Sequence, residues 1–123
     1  MISDNKVTTI DFTLKSSDGL YADICWQRRR AFYCFGSADT REDGDVRSDD
    51  AVFDRAVDKI TMIMTEAVCG SVASLSSRLA LTYSDGTVMA YDALSSSTIK
   101  SLLDIINTAT DEFAYLDNFR YYL

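Results

Sequence analysis

The sequence predicts an α+β fold, an antiparallel sheet of about five strands with two amphipathic helices packed on one face, in the order βββαββα. Three observations carry this. Apolar residues alternate in short runs within residues 7–36 and 78–93. They recur at every third or fourth position over 53–67 and again over 99–113. Between alternating runs the tripeptide Ser-Asp-Gly stands twice, ending at Gly19 and at Gly86, where a turn needs a left-handed residue.

In the first run, "VTTIDFTLK", Ile10, Phe12 and Leu14 point one way and Thr9, Asp11 and Thr13 the other. The run "LYADICWQ" follows. A three-residue loop, Ser17 to Gly19, sets Phe12 beside Ile24 and Ile10 beside Trp26. A two-residue loop would set Leu14 beside Asp23, so the dry face selects the longer loop. The stretch "QRRR" then turns into "AFYCFG". With Arg28 to Ala31 as the loop, Trp26 faces Tyr33, and Cys25 lies opposite Cys34 on the outer face. That geometry would allow a disulfide. An odd, sparse set of cysteines, Cys25, Cys34 and Cys69, points instead to thiols in a reducing compartment.

Residues 37–50, "SADTREDGDVRSDD", read as a polar connection into a helix. Ser48 is the expected N-cap, with Asp49 and Asp50 complementing the dipole in the first turn. Phe53, Ala56, Val57, Ile60, Ile63, Met64 and Ala67 form the apolar stripe, and Gly70 is placed to end the helix. A second hairpin, "RLALTYSDGTVMAYDAL", leads to a second helix with Ile99, Leu102, Leu103, Ile106, Ala109 and Phe113 on its stripe. The polar run "NTATDE" interrupts that helix, and Thr110 can cap a further turn. Residues 1–123 read as one domain with two loosely similar hairpin-plus-helix halves, 1–70 and 71–123.

Nineteen acidic residues against twelve basic ones give a net charge of −7. Direct nucleic-acid binding is disfavoured, because phosphate affinity rests on Lys and Arg. A basic protein partner, or simple solubility, fits this balance. The three arginines of "QRRR" read as a solvated turn, or as partners for the acidic stretch within the molecule. The first residues show no signal-peptide core, and no run has the length of a membrane helix, so the expected location is cytoplasmic with no membrane partner.

There is no histidine, which removes Ser-His-Asp and Cys-His nucleophile systems and most zinc sites. No glycine-rich phosphate loop is present, and no cofactor is expected. The acidic stretch comes close to the spacing of an EF-hand calcium loop. Counting Asp39 as position 1, Asp43, Gly44, Asp45 and Asp50 fall at 5, 6, 7 and 12. Position 3 is Arg41, position 12 lacks the bidentate Glu, and the preceding "AFYCF" reads as a strand, so no metal is assigned. The candidate partner-binding residues are therefore the carboxylates Asp39, Glu42, Asp43, Asp45, Asp49 and Asp50, for charge steering, and the tail aromatics Phe119, Tyr121 and Tyr122, as anchors. Met62, on the polar face of the first helix, is a minor addition.

These features together describe a non-enzymatic acidic binding protein that acts stoichiometrically on a macromolecular partner with a basic surface. An inhibitor, an immunity protein or a counter-defence protein, including one that mimics nucleic acid, acts this way. The alternative is a subunit that self-associates as a homodimer through its sheet edge or tail. A calcium-binding domain or a small enzyme fits less well.

Overall fold

A computed structural model describes residues 5–67, 70 and 72–123. Cys69 lies outside the described residues. The elements are β1 (Val7–Ser16), β2 (Tyr21–Gln27), β3 (Arg30–Gly36), β4 (Arg41–Arg47), α1 (Asp50–Glu66), β5 (Leu75–Tyr83), β6 (Val88–Asp92), α2 (Ser96–Asn107) and a C-terminal 3-10 helical segment (Asp111–Tyr122). The fold is α+β. All strand pairs are antiparallel and form a 6-stranded sheet in the order β4-β3-β2-β1-β5-β6. No helix among the described residues is long and apolar enough to cross a membrane.

The first hairpin takes the register its dry face requires, with Ile10 opposite Trp26 and Phe12 opposite Ile24. Its loop is Ser17–Gly19. The Ser16 N–H donates to the Leu20 carbonyl at 2.7 Å, the Gly19 N–H donates to the Ser16 carbonyl at 3.2 Å, and Gly19 has φ 99°. The second hairpin repeats this geometry. The Tyr83 N–H donates to the Thr87 carbonyl at 2.8 Å, the Gly86 N–H donates to the Tyr83 carbonyl at 2.9 Å, and Gly86 has φ 90°. The two Ser-Asp-Gly tripeptides thus build the same three-residue turn.

Three local expectations are corrected. The turn between β2 and β3 is Arg28–Arg29, two residues shorter than expected, so Trp26 opposes Ala31 and Ile24 opposes Tyr33. Cys25 consequently opposes Phe32, and Cys34 opposes Asp23; the cysteines share the outer face but are not cross-strand partners. A register shift of two leaves every side chain on its own face, so hydrophobic alternation alone does not distinguish the two turns. Size does, because the bulk of Trp26 sits across from the small Ala31. Second, much of the acidic connection is itself a strand: Arg41–Arg47 pairs along the whole of β3 and raises the strand count from about five to six. Third, α1 ends at Glu66 with Ala67 already extended, so Gly70 stands beyond it.

The helices cover one face of the sheet. Ile10, Phe12, Leu14, Ile24, Trp26, Phe35, Leu79 and Leu81 are buried there under Phe53, Ile60, Leu102, Ile106, Phe113 and Phe119. Trp26 is at the centre of this layer. Its ring meets Phe53 edge-on at 5.5 Å and Phe113 at 6.3 Å, joining the sheet to α1 and to the C-terminal segment. A buried indole must place its N–H. It donates to the Ser48 Oγ at 2.6 Å. Ser48 is thereby occupied, and Asp49 is the N-cap in its place, accepting from the N–H groups of Ala51 at 2.7 Å and Val52 at 3.4 Å.

Ser48→Ala is expected to lower stability by about 1–3 kcal/mol, because it leaves a buried donor unsatisfied. Ser48→Thr should retain most of that stability. Urea-unfolding midpoints check this; a loss below about 0.5 kcal/mol for Ser48→Ala would mean that another group serves the indole.

Candidate functional site

An extended backbone sends alternate residues to opposite faces. In β4, Arg41, Asp43, Asp45 and Arg47 lie on the outer face of the sheet, and Glu42, Gly44 and Val46 lie on the helix side. The strand spans roughly 20 Å, with Asp39 in the turn before it and Asp49 after it. The six carboxylates of the acidic stretch are therefore spread along an edge and split between two faces, and they cannot wrap one ion as an EF-hand does. Among the described residues no group of three or more His, Cys, Asp or Glu side chains is gathered closely enough to hold a metal ion.

Several of these carboxylates have partners within the chain. Asp45 lies 2.5 Å from Arg30, Asp43 lies 3.3 Å from Arg41, and Asp50 lies 3.7 Å from Arg29. Arg28 donates from both terminal guanidinium nitrogens to the two oxygens of Asp54, at 2.6 and 3.1 Å. Each arginine of the "RRR" turn thus meets a carboxylate of β4 or α1. Asp49 is engaged in capping. Across the outer face Asp11, Asp23, Asp43, Asp45 and Asp92 are matched by Lys15, Arg30, Arg41, Arg47 and Arg78. The acidic surplus of the chain therefore belongs to the helix side, the turns and the ends of the sheet.

What the fold does bring together, on the helix side of the sheet edge, is Tyr33 of β3 with Glu42 and Gly44 of β4. Tyr33 is half-buried, with its ring stacked on Phe35 at 5.1 Å and edge-on to Phe113 at 6.4 Å. Its hydroxyl reaches β4 because Gly44 lies beneath it. A Cβ at position 44 would stand 2.8 Å from the Tyr33 Oη. Burial pushes the phenol above its ordinary range, and Glu42, Glu112, Asp45 and Asp43 add to that push in this order. Glu42, Asp43 and Asp45 come from β4, and Glu112 from the first turn of the C-terminal segment, which Thr110 caps. Among the described residues neither Glu42 nor Glu112 is in an ion pair.

Sequence reasoning finds Glu42, Asp43 and Asp45 but misses Tyr33 and Glu112. The fold brings these two beside β4 from a neighbouring strand and from the distant C-terminal segment. Periodicity does not reveal that proximity.

The tail residues have three separate fates. Phe119 is fully buried in the core, which removes it from the anchor set. Tyr121 is 90% exposed and remains available. Tyr122 is half-buried, and its hydroxyl donates to both Asp18 oxygens, at 2.7 and 2.8 Å, in the first hairpin loop. Tyr115 stacks on Phe35 at 4.8 Å and donates to the Gly36 carbonyl at 2.7 Å. Met62 is exposed on α1. Burial, then the carboxylates of Asp11 and Asp23, push the Cys25 thiol up to about 11, so it stays protonated at neutral pH.

Two predictions follow from this geometry. Gly44→Ala should swing the Tyr33 hydroxyl away from β4, and its phenol should then titrate closer to its ordinary value by NMR; an unchanged titration would show that the strand moved instead. The Asp18 carboxyl is held below the usual carboxylate range, first by the Ser16 hydroxyl and then by that of Tyr122. A lowered folded pKa means that the tie stabilises the fold above the unfolded value of about 3.9 and is lost as pH falls through the folded value. Tyr122→Phe should therefore melt below the parent protein at neutral pH, and the two melting temperatures should converge as pH falls through the folded value of the Asp18 carboxyl. A gap unchanged at low pH would assign the effect to packing.

Compared with known proteins, the chain matches no family model and no curated sequence.

Proposed function

We propose that this chain is a non-catalytic binding protein whose β4 edge receives a basic segment of a macromolecular partner. The observation that carries this reading is the exposed β4 edge, where the Tyr33 hydroxyl lies over Gly44 on the same face as Glu42, and where neither Glu42 nor Glu112 is in an ion pair among the described residues. A phenol with unpaired carboxylates on its side of the sheet suits a lysine or arginine head. The ring shields one side of the cation from water while the carboxylates accept its hydrogen bonds. Asp43 and Asp45 already hold Arg41 and Arg30, so the net attraction comes mainly from Glu42 and Glu112. Glu42 and Glu112 are exposed, which suits contact with a protein surface.

Acidic proteins that act stoichiometrically, as inhibitors, immunity proteins or counter-defence proteins do, work by covering a basic surface in this manner. Long-range attraction speeds the encounter, and the close pairs fix the register. Location inside a cell belongs to the same proposal.

The test is affinity capture from host lysate with elution by rising salt, followed by the same capture with Glu42→Lys/Glu112→Lys. The expected result is a basic protein that dissociates as salt rises and whose affinity for the variant falls by about ten-fold or more. A complex indifferent both to salt and to these substitutions would sink the proposal.

A further inference from the structure

We infer that β6 is a homodimerisation edge, on which a second copy of this chain adds its own β6 antiparallel to build one continuous sheet. The two edges of the sheet differ in chemistry. β4 carries Arg41, Glu42, Asp43, Asp45 and Arg47; β6 reads Val-Met-Ala-Tyr-Asp, with Val88 53% and Met89 45% exposed. A strand that ends a sheet leaves a row of backbone donors and acceptors unpaired, and charge is a usual guard against wrong pairing. β4 has that guard along its length, whereas β6 has one charge, at its end.

The ladder fixes which groups of β6 are open. The Tyr83 N–H donates to the Thr87 carbonyl, and the Ala93 N–H donates to the Ser77 carbonyl. Hydrogen-bonded pairs alternate in an antiparallel ladder, so Met89 and Tyr91 also turn their backbone groups toward β5. The N–H and C=O groups of Val88, Ala90 and Asp92 then point away from the sheet.

These three residues are self-complementary. A two-fold axis at Ala90 makes Ala90 and its copy exchange both backbone bonds, and it sets Val88 opposite Asp92 of the second copy, with the same exchange. On the helix side Met89 comes opposite Tyr91 of the second copy, a sulfur–aromatic pairing made twice. No like charges meet. The corresponding full overlap of β4 with itself would set Asp43 against Asp45 and Arg41 against Arg47, which opposes pairing at that edge. A second copy is therefore the occupant that the β6 register selects.

The experiment is sedimentation equilibrium over a wide concentration range, with amide exchange measured by NMR on the same samples. The expected result is a mass that rises to twice that of the chain, with slowed exchange at Val88, Ala90 and Asp92 but not at Asp43 or Asp45. Substitutions at Val88 read the register. Val88→Asp faces Asp92 of the second copy and should weaken the dimer by about three- to ten-fold, acting twice by symmetry. Val88→Lys at the same place should not weaken it. Ala90→Pro removes an outward N–H that the chain's own sheet does not use, and should weaken the dimer by roughly ten-fold or more. A monomer at every concentration overturns the inference, as does equal weakening by Val88→Asp and Val88→Lys. So does a dimer that survives Ala90→Pro but is lost in Tyr121→Ala, which would place the contact on the tail.

Discussion

The buried indole N–H of Trp26 is the constraint on which the rest of the arrangement depends. Trp26 is 1% exposed and surrounded by aromatic and aliphatic side chains, so its donor needs a partner inside the fold. Ser48 supplies the acceptor, and its own N–H donates to the Arg29 carbonyl at 2.9 Å. The chain must therefore come back to the Arg28–Arg29 turn before α1 begins. The shortest way to do so from the far end of β3 is a strand running its full length, which is β4. With Ser48 occupied, the cap moves one residue on to Asp49. Phe53, one turn into α1, then falls against the indole ring, and Arg28 sits 5.7 Å above the Phe53 ring while holding Asp54. Strand, cap, helix entry and ion pair thus follow from a single polar atom.

Much of this was legible in the residues. The first hairpin register, both Ser-Asp-Gly turns, the stripes of the two helices as far as Met64 and Ile106, the break after α2 and the Thr110 cap all rest on local rules: alternation, a left-handed glycine, three-and-four spacing and capping chemistry; Ala67, Ala109 and Phe113, expected on those stripes, lie beyond the helix ends. The unread parts are those in which a partner decides. In "REDGDVR" the outer face is wholly charged, and the inner face carries only Val46 as an apolar residue, so an edge strand passed for a loop. The β2–β3 turn length escaped because both registers keep the same faces. Phe119 and Tyr122 look equally available in sequence, and only the packed sheet separates a core ring from one tied to a hairpin loop.

The charge pattern has the same origin. An acidic stretch next to three arginines invites a reading as a free electrostatic surface, but the fold uses most of these charges to join elements: Arg28 to α1, Arg29 to the first turn of α1, and Arg30 to β4. Exposed pairs of this kind contribute little each. Their larger effect is to leave Glu42 and Glu112 outside any ion pair among the described residues. Overall acidity alone therefore says little about where a partner would sit; the pairing pattern is what narrows the choice to one edge.

The repeated hairpin turn has one further consequence. The loop at Asp18 is held by Tyr122, and the loop at Asp85 is held by Asn5, whose Oδ1 accepts from the Asp85 N–H and the Ser84 hydroxyl, both at 3.1 Å. Each turn is thus strapped by a residue from the opposite half of the chain. Opening the first hairpin releases the C-terminal segment, opening the second releases the chain before β1, and loosening either segment frees the turn it held. Together with the long β1–β5 pairing, this reciprocal strapping ties the two hairpins to each other's flanking segments, so that neither turn frays far without disturbing the other end of the sheet.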